Sequence, residues 1–254
     1  MVCGGCRPER IISKPMTLKH RIVIWLRKFG IELRRYQPNR HPVARRIRLI
    51  ENSGVNVVLD VGANVGEFGE ELRNHGYRGR IISFEPLDEA FGHLEERASG
   101  DPDWILKKIA LGNESGRKVI HIANNVTSSS ILDMLPSHHQ AAPQSKYIGE
   151  REIHIERLDN LFSTVVEGDN TVWLKIDTQG YEKSVLEGAS NSLNYCTFVQ
   201  LEVSLVPLYK GSSTMDEILS YMTVRGFEVV GIEPGFSDNE TGQLLQADFT
   251  FRKV

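Results

Sequence analysis

Thirteen residues constrain this chain more than any others: Val57-Val58-Leu59-Asp60-Val61-Gly62-Ala63-Asn64-Val65-Gly66-Glu67-Phe68-Gly69. An apolar run ends in an acid, Asp60, and passes directly into a turn with glycines at 62, 66 and 69. A buried parallel strand that stops at a glycine-rich turn and feeds a helix is how open α/β sheets build sites for nucleotide-sized ligands. A dinucleotide G-x-G-x-x-G beginning at Gly62 needs glycine at 64 and 67, where the chain has Asn64 and Glu67. No lysine follows the turn, which excludes a P-loop. Gly62, Asn64 and Gly66 are therefore expected to bring backbone N–H groups close to a ligand with no Cβ in the way. Asp60 is expected to accept from a ligand amine, directly or through water.

From residue 55 onward, strand-like and helix-like segments alternate. Strands are expected at 55–61, 79–84, 104–110, 173–177, 197–203, 227–232 and 244–251, with helices at 67–76, 87–98, 181–193 and 215–225. That order predicts a doubly wound α/β fold, a seven-stranded Rossmann-like sheet. Only a turn-rich loop (Pro234-Gly235, Asp238-Asn239, Thr241-Gly242) separates the last two strands. Parallel neighbours need a crossover, so this pair is expected to be a terminal antiparallel hairpin. Residues 112–170 interrupt the alternation and read as an inserted β-hairpin with a loop, on the side where such folds place substrate contacts.

Three further stretches carry chemistry. Glu85, in Ile81-Ile82-Ser83-Phe84-Glu85-Pro86, lies 23 residues beyond Gly62 at the end of the second strand. A carboxylate there can accept both ribose hydroxyls of an adenosine, or it can cap the following helix. Ala110, within Ile109-Ala110-Leu111-Gly112, supplies an apolar contact suited to an adenine edge. Lys175 and Asp177 alternate with apolar residues in Trp173-Leu174-Lys175-Ile176-Asp177, as Gln200 and Glu202 do in Phe198-Val199-Gln200-Leu201-Glu202-Val203. Period-two alternation puts each pair on one face of its strand. Buried charges are paired or functional, so Lys175, Asp177 and Glu202 are expected to form one polar cluster at the strand ends, whether structural or catalytic.

Taken together, Asp-Val-Gly-Ala-Asn-Val-Gly, Phe-Glu-Pro, Arg157-Leu158-Asp159-Asn160-Leu161, Lys-Ile-Asp-Thr-Gln-Gly-Tyr-Glu and Leu201-Glu202 resemble the FkbM family of S-adenosylmethionine (SAM)-dependent O-methyltransferases over roughly residues 55–250. The family more often reads Lys-Ile-Asp-x-Glu-Gly, and Gln179 replaces that glutamate here. The resemblance implies SAM as cofactor, with Asp60, Gly62, Asn64, Gly66, Glu85 and Ala110 as its binding residues. It implies methylation of a hydroxyl on a sugar, in a glycolipid or other glycoconjugate, or on a polyketide or other secondary metabolite. A binding module that has kept the fold without the activity is a third reading. An alcohol must lose its proton in the transfer, so a base is required. Asp177, with Glu202 beside it, is the first candidate. His138 and His139 in the insertion are the second, needing loop closure to arrive, and each also reads as a surface histidine. Two carboxylates without a clear third ligand give no metal assignment.

Charge divides the chain. Residues 1–50 hold thirteen Lys and Arg against Glu9 and Glu32, while the remainder holds seventeen bases against thirty-one acids. An acidic body argues against a nucleic-acid substrate. The boundaries read as a basic helical extension, residues 1–50, and a catalytic domain, residues 51–254. Within the extension, residues 17–35 form an amphipathic basic helix, with a second short helix at 43–51. The first helix reads either as a lid on the sheet edge or as a peripheral contact with an anionic membrane surface. Its apolar run, Ile22-Val23-Ile24-Trp25-Leu26, is too short to span a bilayer. A cytoplasmic protein is expected, at most peripheral on the inner membrane face. Cys3-Gly-Gly-Cys6 has metal or redox spacing but no second pair, and Met16 is an alternative start.

Overall fold

The computed structural model describes residues 17–32, 37, 41–125 and 127–254. Cys3, Cys6, Met16 and the last three residues of the expected basic helix lie outside them. The chain divides at Pro42 into two units. The first contains helix α1 (Leu18–Arg27). The second begins with α2 (Pro42–Asn52), the helix that the sequence groups with the extension. It belongs to the larger unit because Ile47 and Ile50 are buried in one cluster with Val58, Leu72, Trp173 and Phe198.

The second unit continues through β1 (Val57–Val61), α3 (Glu67–Asn74), β2 (Arg80–Phe84), α4 (Asp88–Ala98), β3 (Trp104–Lys107), β4 (Ala110–Leu111) and β5 (Gly116–Ala123). Next come α5 (Pro136–Ala141), β6 (Tyr147–Glu156), α6 (Leu158–Val165), β7 (Val172–Ile176) and α7 (Glu182–Gly188). The chain closes with β8 (Cys196–Ser204), α8 (Met215–Val224), β9 (Phe227–Pro234) and β10 (Gln246–Lys253). The main sheet has seven strands in the order β3-β2-β1-β7-β8-β10-β9. β10 is antiparallel to both neighbours, and the other pairs are parallel. This is the expected doubly wound sheet with its antiparallel hairpin. The hairpin folds back, so that β10 rather than β9 pairs with β8.

Both faces of the sheet are covered, which is why β1 is apolar in both phases. Leu59, Ile82, Leu174 and Val199 join the core with α7 and α8 residues Val185, Leu186, Ile218 and Met222. Val58, Ile81, Trp173 and Phe198 pack on the opposite side with Leu72 of α3 and Leu94 of α4. Each such side chain, fully buried, contributes about 1.5–3 kcal/mol.

Three expectations need correction. The third strand ends at Lys107, and Ala110 starts a separate three-stranded sheet, β4-β6-β5. The insertion is more than a hairpin and a loop: β5 and β6 pair antiparallel, but α5 lies between them and α6 follows. The helix expected over 181–193 stops at Gly188, where the chain passes so close to Gly112 that a Cβ would lie 1.8 Å from its carbonyl oxygen. Asp159 then draws in the following turn, accepting from the backbone N–H groups of Asn191 (3.1 Å) and Ser192 (2.8 Å).

Candidate active site

The site grows from the strand period. Residues two apart face the same way, and the register sets Ser83, Asp60, Lys175, Gln200 and Thr250 side by side across five strands. All five are buried. Lys175 Nζ lies 3.2 Å from Asp60 Oδ1 and donates to the Gly62 carbonyl at 3.4 Å. Ser83 Oγ donates to Asp60 Oδ2 (3.3 Å) and accepts from Trp104 Nε1 (3.0 Å). Burial alone would strip the proton from Lys175. The carboxylates of Asp60, Asp177 and Asp248 reverse that and hold the ammonium above its ordinary range. This inner row corrects the reading of Asp60, which is fully buried and absent from the walls of the cleft. Its carboxylate faces Lys175 and Ser83, with no direct opening to the cleft.

Two residues further toward the cleft lies an outer row: Glu85, Gly62, Asp177, Glu202 and, opposite Glu202 on β10, Asp248. All five line a cleft of about 550 Å³ at the carboxyl ends of β1, β2, β7 and β8. The sheet order reverses direction at β1, so the cleft sits at a topological switch point.

One half of the cleft is built by the glycine turn, Glu85 and β4. Glu85 accepts the backbone N–H of Asn64 on Oε2 and that of Leu87 on Oε1, both at 2.9 Å. The capping and ligand readings of Glu85 merge here, since each oxygen keeps a lone pair for a second donor. Burial pushes its carboxyl up to about 7 against the pull of those two N–H groups. Asn64 sits in the left-handed region (φ 49°), and its buried Oδ1 has no hydrogen-bond partner among the described residues. Ala110 and Leu111 complete an apolar wall. Gly62 (φ 74°) has a reason unrelated to any ligand: a Cβ there would stand 1.9 Å from the Asp177 carbonyl oxygen. Gly66 (φ 87°) is pressed in the same way, with Leu94 Cδ1 2.7 Å from its would-be Cβ.

The other half centres on Asp177 and Glu202. They do come together, through a residue given no role from sequence. Gln179 Nε2 donates to Asp177 Oδ1 and to Glu202 Oε2, each at 2.9 Å. Its Oε1 accepts from Tyr209 Oη at 2.8 Å, which fixes the direction of the amide. Gln246 Nε2 also donates to Glu202 Oε2 (2.7 Å). Asp177 Oδ2 lies 3.5 Å from Lys175 Nζ. Burial, then the carboxylates of Asp177, Glu182 and Asp248, raise Glu202 well above the usual carboxylate range. Asp248 is pushed up to about 6 by burial and Asp177. Its signal was present in sequence, since Asp248-Phe249-Thr250-Phe251 alternates as the other two strands do.

The histidines part company. His138 is not a surface residue: it is 3% exposed, lines the cleft, and stands edge-on to the Tyr209 ring at 5.1 Å. Burial, then His139, pull its imidazole down to about 4, so it is neutral and a weak base at pH 7. His139 is half-exposed and does not line the cleft. Among the described residues no group of three or more His, Cys, Asp or Glu is placed to hold a metal ion. No helix among them is long and apolar enough to cross a membrane.

A cleft at a topological switch point, with Glu85 on one side and the Asp177–Glu202 pair on the other, is where open α/β sheets bind nucleotide-sized ligands. The chain belongs to the FkbM methyltransferase family, whose domain model matches residues 60–229. It is 25% identical over 185 residues to the 2-O-methyltransferase NoeI of Sinorhizobium fredii strain NGR234, covering 70% of this chain and 74% of that protein. Among solved structures, it is similar to an rRNA methylase from Streptococcus thermophilus (TM-score 0.46, 13% identity, 85% of this chain and 98% of that one). It is also similar to a protein of the NADB-Rossmann superfamily from Streptococcus agalactiae (TM-score 0.42, 9% identity, 88% and 71%).

Proposed function

We propose that the protein transfers a methyl group from SAM to a hydroxyl of a sugar carried in a glycolipid or other glycoconjugate. The observation that carries this reading is the Asp177–Gln179–Glu202 bridge, facing the same cleft as Glu85 and the orphaned Asn64 Oδ1. Asn64 Oδ1, the two Glu85 oxygens and the Ala110–Leu111 wall suit the amine, ribose and adenine of SAM. When bound, SAM supplies a methyl group already activated as a sulfonium.

The work left to the protein is alignment and removal of one proton. Alignment of the acceptor oxygen can supply up to roughly 7–11 kcal/mol. For the proton, Glu202 suits better than Asp177. Asp177 is tied to the Lys175 ammonium, whereas Glu202 meets, among the described residues, only the amides of Gln179 and Gln246. Burial with the neighbouring carboxylates raises its proton affinity. Asp177 then holds the acceptor hydroxyl and, by its charge, keeps Glu202 basic.

The acceptor side favours a sugar over an apolar polyketide. Asn125, Thr127, Ser128, Gln144, Gln246 and Asp248 present polar groups there, with the His138 and Phe236 rings beside them. A polyhydroxylated ring wants that mixture of hydrogen-bonding groups and flat apolar faces. Incubation of the purified protein with SAM and an oligosaccharide or glycolipid extract should add single methyl groups, read by mass spectrometry. Methylation confined to apolar polyketide alcohols would overturn the choice of acceptor.

A further inference from the structure

The first unit presents an apolar stripe to solvent. On α1 and the turn after it, Leu18 is 73% exposed, Ile22 48%, Trp25 58% and Phe29 64%. Their spacing of four and three puts Leu18, Ile22 and Trp25 on one helix face, and Phe29 extends it from the turn. The Trp25 and Phe29 rings meet edge to face at 4.9 Å, forming one aromatic patch. Lys19, Arg21 and Lys28 flank the stripe and are exposed, and residues 17–31 contain no Asp or Glu. The next acid after this stretch, Glu32, is bound by Arg27 at 2.9 Å. An aromatic and aliphatic stripe edged by bases is the pattern of a helix that lies in a membrane interface, with its bases at the headgroups.

We propose that α1 docks the protein on an anionic lipid surface, with Leu18, Ile22, Trp25 and Phe29 entering the headgroup–acyl boundary. Charge decides between occupants. A second copy of the chain would bring an equally basic helix against this one, whereas an anionic bilayer neutralises it. Each base near such a surface strengthens binding about fivefold. Docking at ten helical residues is reversible and weak unless a multivalent or lipid-linked contact adds to it. The proposal rests on the surface of the first unit alone, and so stands apart from the identity of the acceptor.

Trp25 makes the test direct. Trp104 and Trp173 are 6% and 0% exposed, so a change in tryptophan emission on adding vesicles reports Trp25. The full chain should float with phosphatidylglycerol–phosphatidylcholine vesicles and its emission should shift to the blue, with much weaker binding to pure phosphatidylcholine. Phe29→Glu should lower partition at least tenfold, and Lys19→Glu with Arg21→Glu about as much. Both variants should keep SAM binding and the wild-type unfolding temperature. Equal flotation of wild type and Phe29→Glu, or no binding to anionic vesicles, would overturn the proposal. Concentration-dependent self-association abolished by Phe29→Glu would overturn it in favour of a second copy. Failure of methyl transfer to sugars would leave the vesicle result untouched.

Discussion

The inner and outer rows use the same five strands and the same face of the sheet, one strand period apart, yet they do opposite things with charge. The inner row is buried, and its charges pair: Lys175, which with Gln200 forms the floor of the cleft, meets Asp60, and Ser83 and Trp104 close the end. The outer row opens on the cleft and gathers acids, Glu85, Asp177, Glu202 and Asp248, around the reach of a single ammonium. A buried ion pair costs stability when one partner is removed. A crowd of carboxylates costs stability while it is intact and yields proton affinity in return. Stability and chemistry are thus separated by two residues along each strand.

The sharpest way to break that contrast is a matched pair of substitutions. Glu202→Gln should lower kcat by roughly 10²–10⁴ and leave urea unfolding unchanged or improved. Lys175→Met should destabilise the fold by about 3–5 kcal/mol, because Asp60 is left charged and buried. Similar unfolding midpoints for the two variants would erase the distinction between the rows. Next in size is Glu85→Gln, which replaces one acceptor oxygen by a donor. SAM affinity, followed calorimetrically, should fall roughly 10–100-fold, the worth of one hydrogen bond to a charged group. Gln179→Glu should cost about tenfold in kcat at nearly constant KM for SAM. It should also move the acidic limb of the pH–rate profile to higher pH, since a third carboxylate makes Glu202 harder to ionise.

The smallest effect is one of pH. Glu85 and Glu182 are pushed up to about 7 and Asp248 to about 6, chiefly by burial. Between about pH 4.5 and 7 the folded chain therefore holds more protons than the unfolded one, and stability declines as pH rises through that window. The ligand-free protein should melt higher at pH 5.5 than at pH 8. SAM affinity should run the other way, weakening below about pH 7 as Glu85 takes up a proton and loses an acceptor. A melting temperature independent of pH would remove the cost assigned to the outer row.

What was legible in sequence follows the same geometry. Asp177 and Glu202 could be placed together because alternation within a strand is local, and two neighbouring strands shared it. Asp60 was visible as important but misread, since the partner that occupies it, Lys175, lies 115 residues away and only the register brings them level. Asp248 carried the alternation too, but its place beside Glu202 depends on β10 folding back between β8 and β9. The burial of His138 rests on Tyr209 and Phe236, contacts that no local pattern encodes. Gln179 stood out only as a departure from a family pattern. Its bridging role needed the amide direction set by Tyr209.

The small sheet carries one more consequence. β4, whose Ala110 and Leu111 line the cleft, pairs with β6. Through β5 the same sheet runs into the segment whose Ser130 Oγ donates to the Gln179 carbonyl at 2.7 Å. The two halves of the cleft are thus joined by one small sheet. Affinities for the two substrates should then be linked, each tightening the other by an equal factor as thermodynamic reciprocity demands. An insertion that reads as a decoration of the fold ties the two halves of the cleft together.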